Sequence, residues 1–166
     1  MDTKDLILRS LDQSQDYLTK ALDGLDQNEI AWSPVPGCNN IAFILWHTTR
    51  VEDFWINRVI LREKELYESK AWQDKLGTPA KAFGYTEEEL RDWPVPPLST
   101  LGEYARSVRE KTLAVLKSMP TDKLSELARP DRPDTLGSIL CRMVTEIALH
   151  VGQIAYLRGA QRGLDK

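Results

Sequence analysis

The chain has 166 residues, of which 42% are hydrophobic and 28% charged, a composition that suits one soluble domain with its own core and excludes disorder over the whole length. Lys plus Arg number 22 against 25 Asp plus Glu, a formal charge of −3, which argues against a protein that tracks a phosphate backbone. No apolar run approaches the ~20 residues that span a bilayer. The start, Met1-Asp2-Thr3-Lys4-Asp5, lacks the plan of a secretory leader, and two distant cysteines, Cys38 and Cys141, read as free thiols of a reducing compartment. A cytoplasmic, single-domain protein spanning 1–166 is the expectation.

The first element is an amphipathic helix through Leu6, Ile7, Leu11, Leu18 and Leu22, with Gly24 as its stop. A short turn from Asn28 to Trp32 leads into the breaker Ser33-Pro34-Val35-Pro36-Gly37. Asn39 or Asn40 caps a second helix, about 41–62, with Ile44, Leu45, Thr48, Val51, Trp55 and Val59 on its apolar face. A long connection, about 65–98, follows; it holds six Gly and Pro positions, several aromatics and one short helix at Thr86 to Leu90. Connections of this length in a compact domain are usually functional, and this one is expected to cross over, to roof one end of the fold, or both. Thr100 and Glu103 fit a capping box opening a third helix that closes before Pro120. A helical piece at Thr121 to Leu127 precedes Arg129-Pro130-Asp131-Arg132-Pro133, and Asp134 or Thr135 caps a fourth helix, about 136–161. No segment reads as a strand. The fold class is all-α: a four-helix bundle with a long crossover connection between helices 2 and 3.

Only two histidines occur, His47 and His150, mid-helix in the second and fourth helices. In the fourth helix Met143, Glu146, His150, Gln153 and Leu157 recur at three- and four-residue steps and share a face. A carboxylate on an apolar face needs compensation. One solution is a divalent metal held by Glu146 and His150, spaced i, i+4, with His47 as third ligand; two imidazoles and a carboxylate suit zinc, nickel or iron and leave an open position. The plainer solution is a hydrogen-bonded core histidine with Glu146 paired to Arg142 or another arginine. Arg50, one turn past His47, is either an anchor for an anionic substrate or part of a solvated face. Glu52 or Asp53 is a candidate partner for a ligating histidine. Gln153, one turn past His150, is placed to orient a ligand. Arg158 complements the helix dipole. Trp46, Trp55 and Trp72 line a pocket or fill the core. There is no Gly-rich phosphate loop, no G-x-S-x-G and no C-x-x-C.

The run Asn39-Asn-Ile-Ala-Phe-Ile-Leu-Trp-His47-Thr-Thr-Arg-Val-Glu-Asp-Phe-Trp55 resembles the second helix of the DinB-like superfamily. Glu146-Ile-Ala-Leu-His150-Val-Gly-Gln-Ile-Ala-Tyr-Leu-Arg158-Gly resembles its fourth, whose pattern is H-x-x-x-H-x-G-Q-I-x-x-L-R. The resemblance implies a bundle with a crossover, a homodimer, a small-molecule substrate and a divalent metal held by three histidines. It also implies transfer of a low-molecular-weight thiol, such as mycothiol, bacillithiol or glutathione, to an electrophile. His47 matches the first ligand and His150 the third. Glu146 stands where the pattern has His, which lowers the charge of the ligand set with its ion by one and raises the pKa of bound water or thiol. The rival expectation is a non-enzymatic bundle that binds a small ligand or a partner, with a decayed metal site.

Overall fold

The computed structural model describes residues 2–163. Four long rods make the bundle. The first is α1 (Thr3–Leu22), followed by the short α2 (Gln27–Ala31). The second is α3 (Ile41–Asp53), continued without a break by a π-helical segment, Phe54–Leu61. The crossover connection carries three short helices, α4 (Leu66–Ser69), α5 (Trp72–Leu76) and α6 (Glu87–Arg91). The third and fourth rods are α7 (Leu98–Ser118) and α8 (Leu136–Arg162). Among the described residues there is no strand, only an isolated antiparallel bridge between Leu127 and Thr135.

The caps explain most boundaries. Asp2 and Asp5 form a reciprocal capping box that starts α1 three residues earlier than its apolar pattern. Asn40 accepts from Phe43 N at 2.8 Å, and Thr135 accepts from Ser138 N at 3.1 Å, as the sequence indicates. The Thr100–Glu103 box does not form. α7 begins at Leu98 behind Pro97, whose ring presets a helical entry, and Gln27 of α2 supplies the acceptor for Leu98 N. Thr100 therefore lies inside the first turn.

Contacts along the rods fix their directions. Glu52 meets Arg109, while Leu45 and Gly102 line one cleft a further two turns back, so α3 and α7 run parallel. Ser10 lies near Val144 and Ala21 near Arg158, so α1 and α8 also run parallel. His47 meets His150 and Trp55 meets Arg142, so α3 and α8 are antiparallel. The order is up, down, down, up. Two consecutive parallel rods force the chain after Leu61 to travel the length of the bundle before α7 starts, which is the physical origin of the crossover.

The turn into that crossover is organised by one carboxylate. Asp53 is 0% exposed and accepts four hydrogen bonds: from Asn57 Nδ2 at 2.7 Å, Leu66 N at 2.9 Å, Tyr67 N at 2.9 Å and Tyr104 Oη at 2.7 Å. Burial and the neighbouring carboxylate hold the Tyr104 phenol well above its usual range, so it stays a donor. Asp53 thus ties α3, the π segment, α4 and α7 together. The expectation that it serves a histidine is corrected. Glu52 is likewise engaged, bidentate with Arg109 at 2.8 and 2.9 Å.

At the opposite corner Arg162 of α8 grips Glu29 of α2 at 2.7 Å. The guanidinium, helped by Asp26 N–H, holds the Glu29 carboxyl down at about 2. A depressed acid stabilises the fold above its unfolded value and loses that contribution as pH falls through the folded value.

Two outcomes follow. Asp53→Ala leaves four donors without an acceptor in a dry site and is expected to cost about 3–5 kcal/mol in urea unfolding, whereas Asp12→Ala, exposed on α1, changes stability by less than about 0.5 kcal/mol. The protection of amides in the last turn of α8, taken relative to their intrinsic exchange rates, is expected to fall as pH drops from about 4.5 towards 2, and Glu29→Gln abolishes that change in protection.

Candidate functional site

α8 buries Met143, Ile147, Val151, Ile154 and Leu157. Met143 and Leu157 are core as expected, but Glu146, His150 and Gln153 flank this stripe instead of lying in it. Spacings of three and four define a broad stripe, and these residues sit at its edge. The Glu146 side chain is 43% exposed, so it needs no buried cation to offset its desolvation. Arg142, its suggested partner, reaches Asp134 at 3.2 Å instead. The case for a ligand at this site therefore rests on the imidazoles.

The two histidine rings face each other from α3 and α8, 5.1 Å between centroids and at 85°. His47 Nδ1 lies 3.1 Å from Ala82 O, and His150 Nδ1 lies 2.9 Å from Gln153 Oε1. Carbonyl and amide oxygens only accept, so each Nδ1 carries a proton, and in the neutral ring the lone pair is on Nε2. His150 Nε2 is buried with no hydrogen-bond partner, and Glu146 Oε2 stands 3.6 Å from it. Burial, and then the neighbouring His150, push the His47 imidazole below its ordinary value, while Glu146 pulls it up. Neutral imidazoles with their Nδ1 protons tied to oxygens are the form in which histidine ligates metals. The donor chemistry of His47, His150 and Glu146 thus fits a divalent ion. Among the described residues no group of three or more His, Cys, Asp and Glu side chains is placed to hold a metal ion.

The crossover connection covers the pair. The Phe83 ring sits edge-on to His47 at 5.7 Å, and Phe43 stacks on the other side at 5.9 Å. Ala82 and Phe83 were not expected at the site. A backbone carbonyl carries no sequence signal, and one Phe among several aromatics carries little. Of the tryptophans, Trp46 is fully buried and Trp72 packs on Tyr104, so neither lines this site. Cys38 and Cys141 are free and exposed.

Arg50 is the clearest departure from expectation. It is 3% exposed and not on a solvated face. Its guanidinium lies 3.6 Å from the Tyr67 ring centre, pairs with Glu65 at 3.0 Å and donates to Ala80 O at 3.3 Å. Arg50 holds the roof down two residues before the carbonyl that fixes His47. Tyr67 reinforces it by donating to the Thr78–Pro79 backbone at 2.9–3.0 Å.

A family model described as mycothiol-S-transferase matches residues 6–163 of the chain. A crystal structure described as the conserved protein of a locus from Enterococcus faecalis superposes with a TM-score of 0.86; it is 22% identical and covers 96% of this chain and 96% of that chain. This likeness shows the all-α fold alone. No curated protein matches.

Arg50→Ala leaves the buried Glu65 carboxylate with the longer Arg58 contact, 3.7 Å away. It is expected to cost about 3–5 kcal/mol and to speed limited proteolysis between Gly77 and Tyr85, with a smaller loss when Glu65 is also changed to Gln.

Proposed function

The chain belongs to the mycothiol-S-transferase family over residues 6–163, and from that premise we propose that it is a metal-dependent thiol S-transferase acting in the cytoplasm on a small electrophile. The observation that carries this reading is the buried Nε2 of His150, which lacks a hydrogen-bond partner, stands 3.6 Å from Glu146 Oε2 and belongs to a ring packed against His47. His47 and His150 would hold the ion through Nε2, and Glu146 through its carboxylate. A divalent ion there supplies the positive charge that keeps a thiol ionised near neutral pH. Zinc, nickel or iron suits this donor set.

The remaining work falls to the chain. Ala82 O and Gln153 Oε1 keep both imidazoles in the ligating tautomer. Phe83 and Phe43 shield the His47 ring from water. The low-molecular-weight thiol is of the mycothiol class; its sulfur gives up its proton and forms the new bond to the electrophilic carbon as the bond from that carbon to its leaving group breaks, the leaving group departing with the electron pair and taking up a proton. We also read the protein as a homodimer. Leu149 and Tyr156 stand 59% and 75% exposed on α8, beside an apolar groove of about 680 Å³ between α1 and α8 that a second copy would cover. Among the described residues no helix is long and apolar enough to cross a membrane.

Metal analysis of protein purified without a histidine tag tests the assignment. The wild type is expected to carry a divalent ion and to gain thermal stability with added Zn²⁺ or Ni²⁺; His47→Ala and His150→Ala lose both. Gln153→Ala weakens the metal about 10–100-fold. A wild type with no more metal than the variants and no thermal response overturns the reading and leaves a bundle with a buried polar pair.

A further inference from the structure

A second cavity, about 190 Å³, opens where the π segment meets the loop before α8. Its floor is apolar: Phe54, Trp55 and Val59, closed by Ala128 and Ile139. Its rim carries Arg129, Arg132 and Arg142 against a single carboxylate, Asp134. Three guanidinium groups facing one carboxylate leave a local charge of +2 in a chain whose formal charge is −3.

Asp134 is occupied by Arg142, which also lies 5.8 Å from the Trp55 ring centre. Arg129 and Arg132 are exposed and make no side-chain hydrogen bond or ion pair among the described residues. Their fork-shaped donors are therefore free to take a planar or tetrahedral anion. The first turn of α8, through Ile139, presents the positive end of a 27-residue helix to the same space. One aromatic ring separates the cavity from the histidines: Phe83 lies 5.7 Å from Phe54 and 5.7 Å from His47.

We propose that this cavity binds the carboxylate or phosphate end of an apolar, ring-sized molecule whose far end reaches the histidine pair. The ligand chemistry is thus an anion carried on an aromatic or aliphatic body. Naming that molecule the electrophilic substrate rests on the S-transferase reading; the anion site itself does not.

Calorimetric titration of the intact protein with benzoate and with phenyl phosphate tests the site, with benzyl alcohol as the neutral control. Saturable, salt-sensitive binding of at least one anion is expected, none of the alcohol, and the tighter anion identifies the group recognised. Arg129→Gln combined with Arg132→Gln is expected to weaken it roughly tenfold or more. Both residues are exposed and unpartnered, so an unchanged melting temperature verifies the fold of this variant. Asp12→Ala, exposed on α1 and away from the cavity, is expected to bind the anions as the wild type does. No saturable binding, or equal binding by the double arginine variant, overturns the proposal. Anion binding by a wild type that holds no metal keeps the cavity and removes only the S-transferase reading.

Discussion

Four donors converge on the carboxylate of Asp53, and the path of the chain beyond the second rod depends on it. In a bundle ordered up, down, down, up, the segment after Leu61 must double back across the outside of the core. Nothing in the apolar pattern of that segment alone dictates its route. Asp53 does so by capturing the backbone N–H groups of Leu66 and Tyr67 while also holding Tyr104 of α7. A buried charge is an expensive fastener, because every lone pair must be met. In return it sets one geometry.

That geometry passes upward to the histidines in short steps. Tyr67, seated by Asp53, stacks on Arg50 and pins the backbone at Thr78 and Pro79. Arg50 holds Ala80 O, and two residues on, Ala82 O receives the His47 proton. The tautomer of an imidazole in the site is thus decided through a chain of contacts that begins at the other end of the crossover. The charged residues between Arg50 and Asp53 serve structure, which leaves the imidazoles, Glu146 and Gln153 as the groups available for chemistry.

The four rods were legible because charged residues interrupt apolar ones at helical intervals, and Asn40 and Thr135 marked two starts correctly. The crossover was legible from length and from Gly and Pro content. Thr100 misled because its acceptor was made redundant by Pro97 and by Gln27, a residue about seventy positions away. The flank position of Glu146 was hidden because α8 is apolar nearly all round, with Leu149 and Tyr156 on its outer side, so a stripe could be drawn through several faces. Arg50 read as solvated because its partners, Glu65 and Tyr67, reach it only through the folded connection. The arginine-rimmed cavity was invisible for the same reason: Trp55 and Arg132 are neighbours only in space.

The π segment that follows Asp53 has its own consequence. Each turn there holds more residues than an α turn, so side chains after Asp53 point in directions out of phase with His47 on the same rod. Val59 of the cavity floor is aimed by the wider winding, His47 by the tighter one. Reverting the wide turns would rotate the side chains late in the segment and leave the imidazole where it is. A single rod therefore carries two independently adjustable surfaces, and evolution can retune what the molecule grips without disturbing where it reacts.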